Sequence, residues 1–137
     1  MKLNQLTITE ALTGLKNKEF SSEHLTQVCL DRIKETNKDL NSFLTLNKKA
    51  VLEAKKADQL IKGSPKNFVK HPLLGIPYAI KDNFLTKGLR TTASAKVLDD
   101  YIPQYNSTVF NKLNTSGAIL LGKTNMDAWA HGSSTEP

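Results

Sequence analysis

Apolar positions follow a helical period through the first half of the chain and change rhythm near residue 71. Thr7-x-x-Glu10 has the form of a capping box, and Ile8, Leu12 and Leu15 make a short apolar stripe behind it. Phe20 precedes Ser21, a good N-cap residue, and stands with Leu25 in the N′ and N4 positions of a hydrophobic staple. Leu25, Val28, Cys29, Arg32 and Ile33 follow at helical spacing with only Arg32 polar, which predicts a helix over 22–36. Asn37 to Asn41 breaks the pattern, and "SFLTL" (Ser42 to Leu46) reads as a short extended piece. A third helix is predicted from Lys48 to Lys62. Its face is a narrow stripe of Ala50, Ala54, Ala57 and Ile61, with Gly63 as a left-handed C-cap. "GSPKNFVKHP" is then a loop with two prolines.

From Leu73 the apolar runs become short and compact. "GIPYAI" predicts a strand over Tyr78 to Lys81, with Asp82-Asn83 as its turn. Ser107 to Thr115 is expected to be a helix with Val109, Phe110 and Leu113 inward. Ala118 to Leu121 is expected to be a buried strand, and Met126 to His131 another helical turn. No internal repeat or low-complexity segment is present. Helices first, then alternating strand and helix, predict an α/β chain. Residues 1–70 form a helical segment and residues 71–137 open an α/β core. Only two or three strands precede the closing "HGSSTEP", so the domain is expected to be incomplete, with open sheet edges and poor stability in isolation.

Composition narrows this little. A chain of 137 residues with 39% apolar and 23% charged residues suits one globular domain. The net charge of +6 comes from lysines scattered along the whole length, which favours solvated faces over a nucleic-acid patch. The single cysteine, Cys29, rules out a disulfide within the chain and fits a reducing compartment. His24, His71 and His131 lack metal-ligand spacing. No apolar run approaches the roughly 20 residues that span a bilayer, and the N-terminus lacks the apolar core of a signal peptide, so a cytoplasmic location is expected.

Two lysines carry candidate chemistry. "GAILLGKT" (Gly117 to Thr124) matches the phosphate-loop pattern letter for letter, but that mechanism needs a strand before the first glycine and a helix after the lysine. Here the strand-like residues lie inside the motif, which makes a chance match the better reading. Lys81 ends an apolar run. It either reaches solvent, as most strand-end lysines do, or sits in an apolar site that lowers its pKa and makes it a base for a serine nucleophile. The residues alone leave both readings open.

"HPLLGIPYAIKDNFLTKGLRTT", "NSTVFNKLNTSGAILLGKTNMDAWAHGSSTE" and, more loosely, "ALTGL" and "SFLTL" resemble, in the same order, the amidase signature enzymes. "GKTNMD" with "GSSTE" points within that family toward the A subunits of tRNA-dependent amidotransferases. The resemblance implies the N-terminal portion of the amidase signature fold: a helical start, then the first strands of a mixed sheet between helices. It implies that Lys81 is the catalytic base, acting through a cis-serine on a nucleophilic serine. It places Ser133 and Ser134 near the substrate pocket. The implied reaction is release of ammonia from glutamine, for conversion of Glu-tRNA(Gln) or Asp-tRNA(Asn) to the amidated form. Subunits B and C would be partners, ATP and Mg2+ would be used by a partner subunit, and the chain itself would need no cofactor.

In the family the two catalytic serines lie in a later Gly/Ser-rich segment, so the chain alone is expected to be inactive. "MDAWAHG" stands where the family more often has an acidic residue, phenylalanine and methionine. "TTASAK" reorders the usual small residues, and Pro137 stands where asparagine is commoner. These departures bear on the shape of the pocket. A general amidase, a nucleotide-binding module through Gly117–Thr124 and a non-catalytic remnant remain as alternatives.

Overall fold

The computed structural model describes residues 2–132. Five helices and three strands follow in the order α1 (Ile8–Asn17), α2 (Ser22–Leu40), β1 (Phe43–Leu46), α3 (Ala50–Gly63), α4 (Asn67–Lys70), β2 (Pro77–Lys81), α5 (Thr108–Thr115) and β3 (Ile119–Thr124). Short 3-10 turns sit at Leu3–Gln5, Lys96–Leu98 and Ala128–Ala130. The mixed α/β architecture expected from the sequence is present.

Local chemistry explains the helix starts. Thr7 and Glu10 form both bonds of the capping box, Ser21 accepts from the His24 amide at 3.0 Å, and Ser107 accepts from the Phe110 amide at 3.3 Å. The first turn of α2 has a further partner: Asp58 of α3 accepts from the Ser22 and Glu23 amides at 2.7 and 3.0 Å, filling two donors that a helix start leaves open. The alanine stripe of α3 is buried as predicted, with Ala50, Ala54, Ala57 and Ile61 all facing inward. Its small side chains let α2 and β3 approach α3 closely. Leu15, Leu25, Leu74, Ile76 and Ile119 complete this core.

The sheet order is β1-β3-β2, with β1 antiparallel and β2 parallel to β3. β3 is central among the described strands, and Ile119 to Lys123 are buried along it. Gly122 is needed there: a Cβ would collide with the Thr45 carbonyl oxygen of β1. The register pairs Lys81 at the end of β2 with Thr124 at the end of β3.

Several sequence expectations are corrected. α2 runs on to Leu40, because the Asn37 side chain stays helical and grips the Phe43 backbone through both its carbonyl and its amide. The helix then ends on Asn41 in a left-handed conformation, φ 47°. Gly63 is the last residue of α3 rather than its left-handed cap, and Ser64 follows in an extended conformation. The loop after it contains α4. Ile8 is exposed, and Ala11 and Gly14 join Leu15 on the buried face of α1, where Phe20 lies against Gly14. Val109 is exposed rather than inward. β3 extends to Thr124, so the strand takes in Gly122 and Lys123.

Candidate functional site

The C-terminal ends of β2 and β3 and the loop from Asp82 to Ala95 meet in one place. In parallel sheets, this end of the strands is where side chains can converge without interrupting the ladder. Lys81 is the last residue of β2, and its side chain is exposed. Asp82 follows and points the other way, into the interior, as strand alternation requires; it is completely buried.

Lys123 is also completely buried. An ammonium out of water needs acceptors for its protons. Lys123 Nζ donates to the Phe84 carbonyl at 2.7 Å and to Thr91 Oγ1 at 2.8 Å, and lies 3.4 Å from Asp82 Oδ1. Burial pushes the Lys123 pKa down, against the opposing pull of the Asp82 carboxylate. The other Asp82 oxygen, Oδ2, accepts from the Thr92 amide at 2.8 Å and from Thr92 Oγ1 at 2.6 Å. The two threonines of "RTT" thus each bind one member of the buried pair.

The loop that carries them is strained. Ala93 and Ser94 both have left-handed backbone, φ 49° and 52°, which costs a residue with a Cβ about 1–2 kcal/mol. Bonds from the Ala93 amide to the Asp82 carbonyl and from the Ser94 amide to Thr92 Oγ1 hold the turn. Ser94 Oγ donates to the Asn125 side chain beyond β3, and the Trp129 amide donates to the Ala93 carbonyl. The reordered small residues of "TTASAK" and the unusual Trp129 therefore lie in contact at the same end of the sheet.

Among the sequence candidates, Lys81 lies at this site. Ser133 and Ser134 fall outside the described residues. The Gly117–Thr124 motif does not build a phosphate loop. Gly117 follows α5 with φ 83°, residues 119–124 are strand, and the lysine is consumed by interior partners. His71 Nδ1 lies 2.7 Å from the Thr115 carbonyl, a packing role. Among the described residues no cluster of metal-ligating side chains occurs, and no helix is long and apolar enough to cross a membrane.

Sequence reasoning passed over Thr91 and Thr92, took Asp82 for a turn residue and weighed Lys123 only as a phosphate-loop lysine, not as half of a buried pair. A signal was there for Lys123. It directly follows a run of apolar strand residues and one glycine, where a charge buried on both faces of a sheet must have a partner.

A family model described as amidase matches residues 24–137. The glutamyl-tRNA(Gln) amidotransferase A subunit from Natranaerobius thermophilus is 47% identical over 99% of this chain, and the one from Desulfatibacillum aliphaticivorans is 46% identical over 99%. This chain spans about 27% of the length of those curated relatives, matching their N-terminal portion. Solved structures agree. An amidase family protein from Bacillus anthracis superposes with TM-score 0.83 at 34% identity, covering 98% of this chain and 27% of that one. The peptide amidase from Stenotrophomonas maltophilia gives 0.84 at 28%, covering 93% and 26%. The glutamyl-tRNA(Gln) amidotransferase A subunit from Thermotoga maritima gives 0.72 at 31%, covering 98% and 26%. With the helical start, the mixed sheet and the strand-end lysine in the same order as the sequence motifs, the chain belongs to the amidase signature family.

Proposed function

We propose that this chain is part of the glutamine-hydrolysing A subunit of a tRNA-dependent amidotransferase, and that Lys81 is its general base. The observation that carries this is the setting of Lys81. Its backbone is fixed at the C-terminal end of β2 while its side chain stays accessible. The similarity to such amidotransferase subunits over 99% of the chain supports the choice of substrate.

In the proposed reaction Lys81 Nζ accepts a proton through a relay serine, and the nucleophilic serine Oγ attacks the side-chain amide carbon of glutamine. Backbone amides stabilise the resulting oxyanion. The proton returns to the leaving nitrogen as the C–N bond breaks, so ammonia departs and a glutamyl ester remains. Water then hydrolyses the ester to glutamate and frees the serine. Both serines come from sequence beyond residue 137, with Ser133 and Ser134 near the substrate. Subunits B and C are the proposed partners, and ammonia passes to the partner subunit that uses ATP and Mg2+ to activate Glu-tRNA(Gln) or Asp-tRNA(Asn). The proposed location is cytoplasmic.

The test replaces the matching N-terminal segment of a full-length relative by residues 1–137 and follows ammonia release from glutamine. The graft is expected to be active, with Lys81→Ala lowering kcat by at least about a hundredfold. The 137-residue chain alone is expected to release no more ammonia than its own Lys81→Ala variant. Full activity of the Lys81→Ala graft, or release by the chain alone above that control, refutes the proposal. A second reading, a general amidase, is favoured by the 0.84 TM-score to a peptide amidase. A graft that hydrolyses peptide amides but not glutamine, and retains no partner subunit in a pull-down, would select it.

A further inference from the structure

We infer that the buried Lys123–Asp82 pair is a positioning device for Lys81, setting the backbone from which the proposed base projects. The inference rests on the reading of Lys81 as the base, and goes beyond it by giving two further residues a part in the reaction.

One peptide plane links the pair to the base. The Lys81 carbonyl and the Asp82 amide belong to the same rigid unit. The carbonyl accepts from the Phe84 amide at 3.0 Å, and the amide donates to the Thr124 carbonyl at 3.1 Å. With both ends of the plane held, the Lys81 backbone angle ψ is set, and with it the direction in which the Cα–Cβ bond leaves the strand.

The turn that supplies the Phe84 amide is tied to the segment before α5 only from Leu85 onward, where the Leu85 carbonyl accepts from the Ser107 amide at 2.7 Å and the Lys87 amide donates to Asn106 Oδ1 at 2.7 Å. Phe84 is only partly buried and Asn83 is exposed. The Phe84 carbonyl accepts from two buried donors, Thr86 Oγ1 within the turn at 3.2 Å and, more closely, Lys123 Nζ at 2.7 Å, and only Lys123 ties it across to β3. The returning loop is held by the same pair. The Asp82 carboxylate lies between Lys123 and both donors of Thr92, and the Asp82 carbonyl takes the Ala93 amide at 3.0 Å.

Three oxygens, from Phe84, Thr91 and Asp82, stand around an ammonium that has three protons. They come from the strand end, its turn and the returning loop. A well-packed apolar residue would fill this volume at less cost than two desolvated charges. What an apolar residue could not do is fix the direction of a carbonyl. Short-range, directional bonds are what a general base needs, since a displacement of about 1 Å at a reacting group can cost roughly a hundredfold in rate.

The experiment uses the complete grafted enzyme together with its partner subunits. Lys123→Met keeps most of the volume and removes every donor. It is expected to lower kcat for glutamine about ten- to a hundredfold with KM within about twofold, because the substrate contacts are untouched. Thr91→Val removes one acceptor and keeps the shape. It is expected to lower kcat per folded enzyme roughly threefold at unchanged KM, with a lower melting temperature because one buried Lys123 proton loses its acceptor. If Lys123→Met fails to fold, Thr91→Val decides.

Wild-type kcat in folded Lys123→Met, or in Thr91→Val when that variant decides, overturns the inference. So does a loss of rate that only tracks the loss of folded enzyme, since that marks a purely structural pair. Failure of the base reading looks different: the Lys81→Ala graft then keeps its activity, whatever Lys123→Met does.

Discussion

Removing the Lys123 ammonium should cost the folded chain a large share of its stability. In Lys123→Met the methionine occupies much of the lysine's volume, so the cavity contribution is small. The electrostatic contribution is not. Asp82 is completely buried, and Lys123 is the partner that faces its Oδ1 among the described residues. A carboxylate left in that position without a countercharge costs about 3–5 kcal/mol. Whole domains are stable by only about 5–15 kcal/mol, so the loss is a large fraction of the total.

The assay is urea unfolding of the full-length graft, in which the rest of the family domain covers the sheet edges that residues 1–137 leave open. Trp129 is a natural reporter, since it lines the same cavity as Asp82 and Thr91. With a slope of about 1–3 kcal/mol per molar urea, the midpoint should fall by at least about 1 M. Asp82→Asn combined with Lys123→Met removes both charges and should cost less than the sum of the single changes, by about 2 kcal/mol. There is a pH signature too. Burial holds the folded pKa of Lys123 below its unfolded value of 10.5. Between the two the unfolded chain binds more protons, so wild-type stability gains with rising pH across that window, and Lys123→Met lacks this slope. A cost below about 1 kcal/mol, or strict additivity in the cycle, would refute the view that this is a tightly coupled ion pair.

Two other sites probe the ground around this pair. The Tyr78 hydroxyl is buried without a partner in the described structure, and burial followed by the nearby Glu53 carboxylate pushes its pKa up. Tyr78→Phe is therefore expected to be neutral or stabilising by up to about 1 kcal/mol at pH 7. It should also remove part of the stability loss above about pH 10, where the unfolded phenol ionises first; destabilisation by more than about 1 kcal/mol at pH 7 would contradict this. Gly117 has φ 83°, and a Cβ there would meet the Leu74 Cα at 2.9 Å, whereas Gly88, φ 74°, has nothing within 4 Å. Gly117→Ala should cost about 2–4 kcal/mol by urea unfolding and Gly88→Ala about 1–2, the difference measuring the close approach of the α5–β3 turn to Leu74; equal costs would show that approach to be slack.

The features legible in the sequence are those decided within a few residues. Thr7 with Glu10, Ser21 and Ser107 mark helix starts because a cap acts on amides two or three positions away. The alanine stripe of α3 and the apolar runs of β2 and β3 state their burial through periodicity alone. Lys81 could be placed at a strand end for the same reason, and the motif order carried the family. Tertiary structure decided the rest. Asn37 prolongs α2 because its side chain meets Phe43 across the turn, a contact that composition reads only as a break. Ile8 and Val109 fit apolar stripes yet stay exposed, because which face of a helix is covered depends on what packs against it. Above all, Lys123 and Asp82 are brought together by the parallel register of β2 on β3. No local pattern encodes that register. In sequence one of the two looked like a turn residue and the other like a stray phosphate-loop lysine. The need of each buried charge for the other becomes visible only when both are out of water at the same end of the sheet.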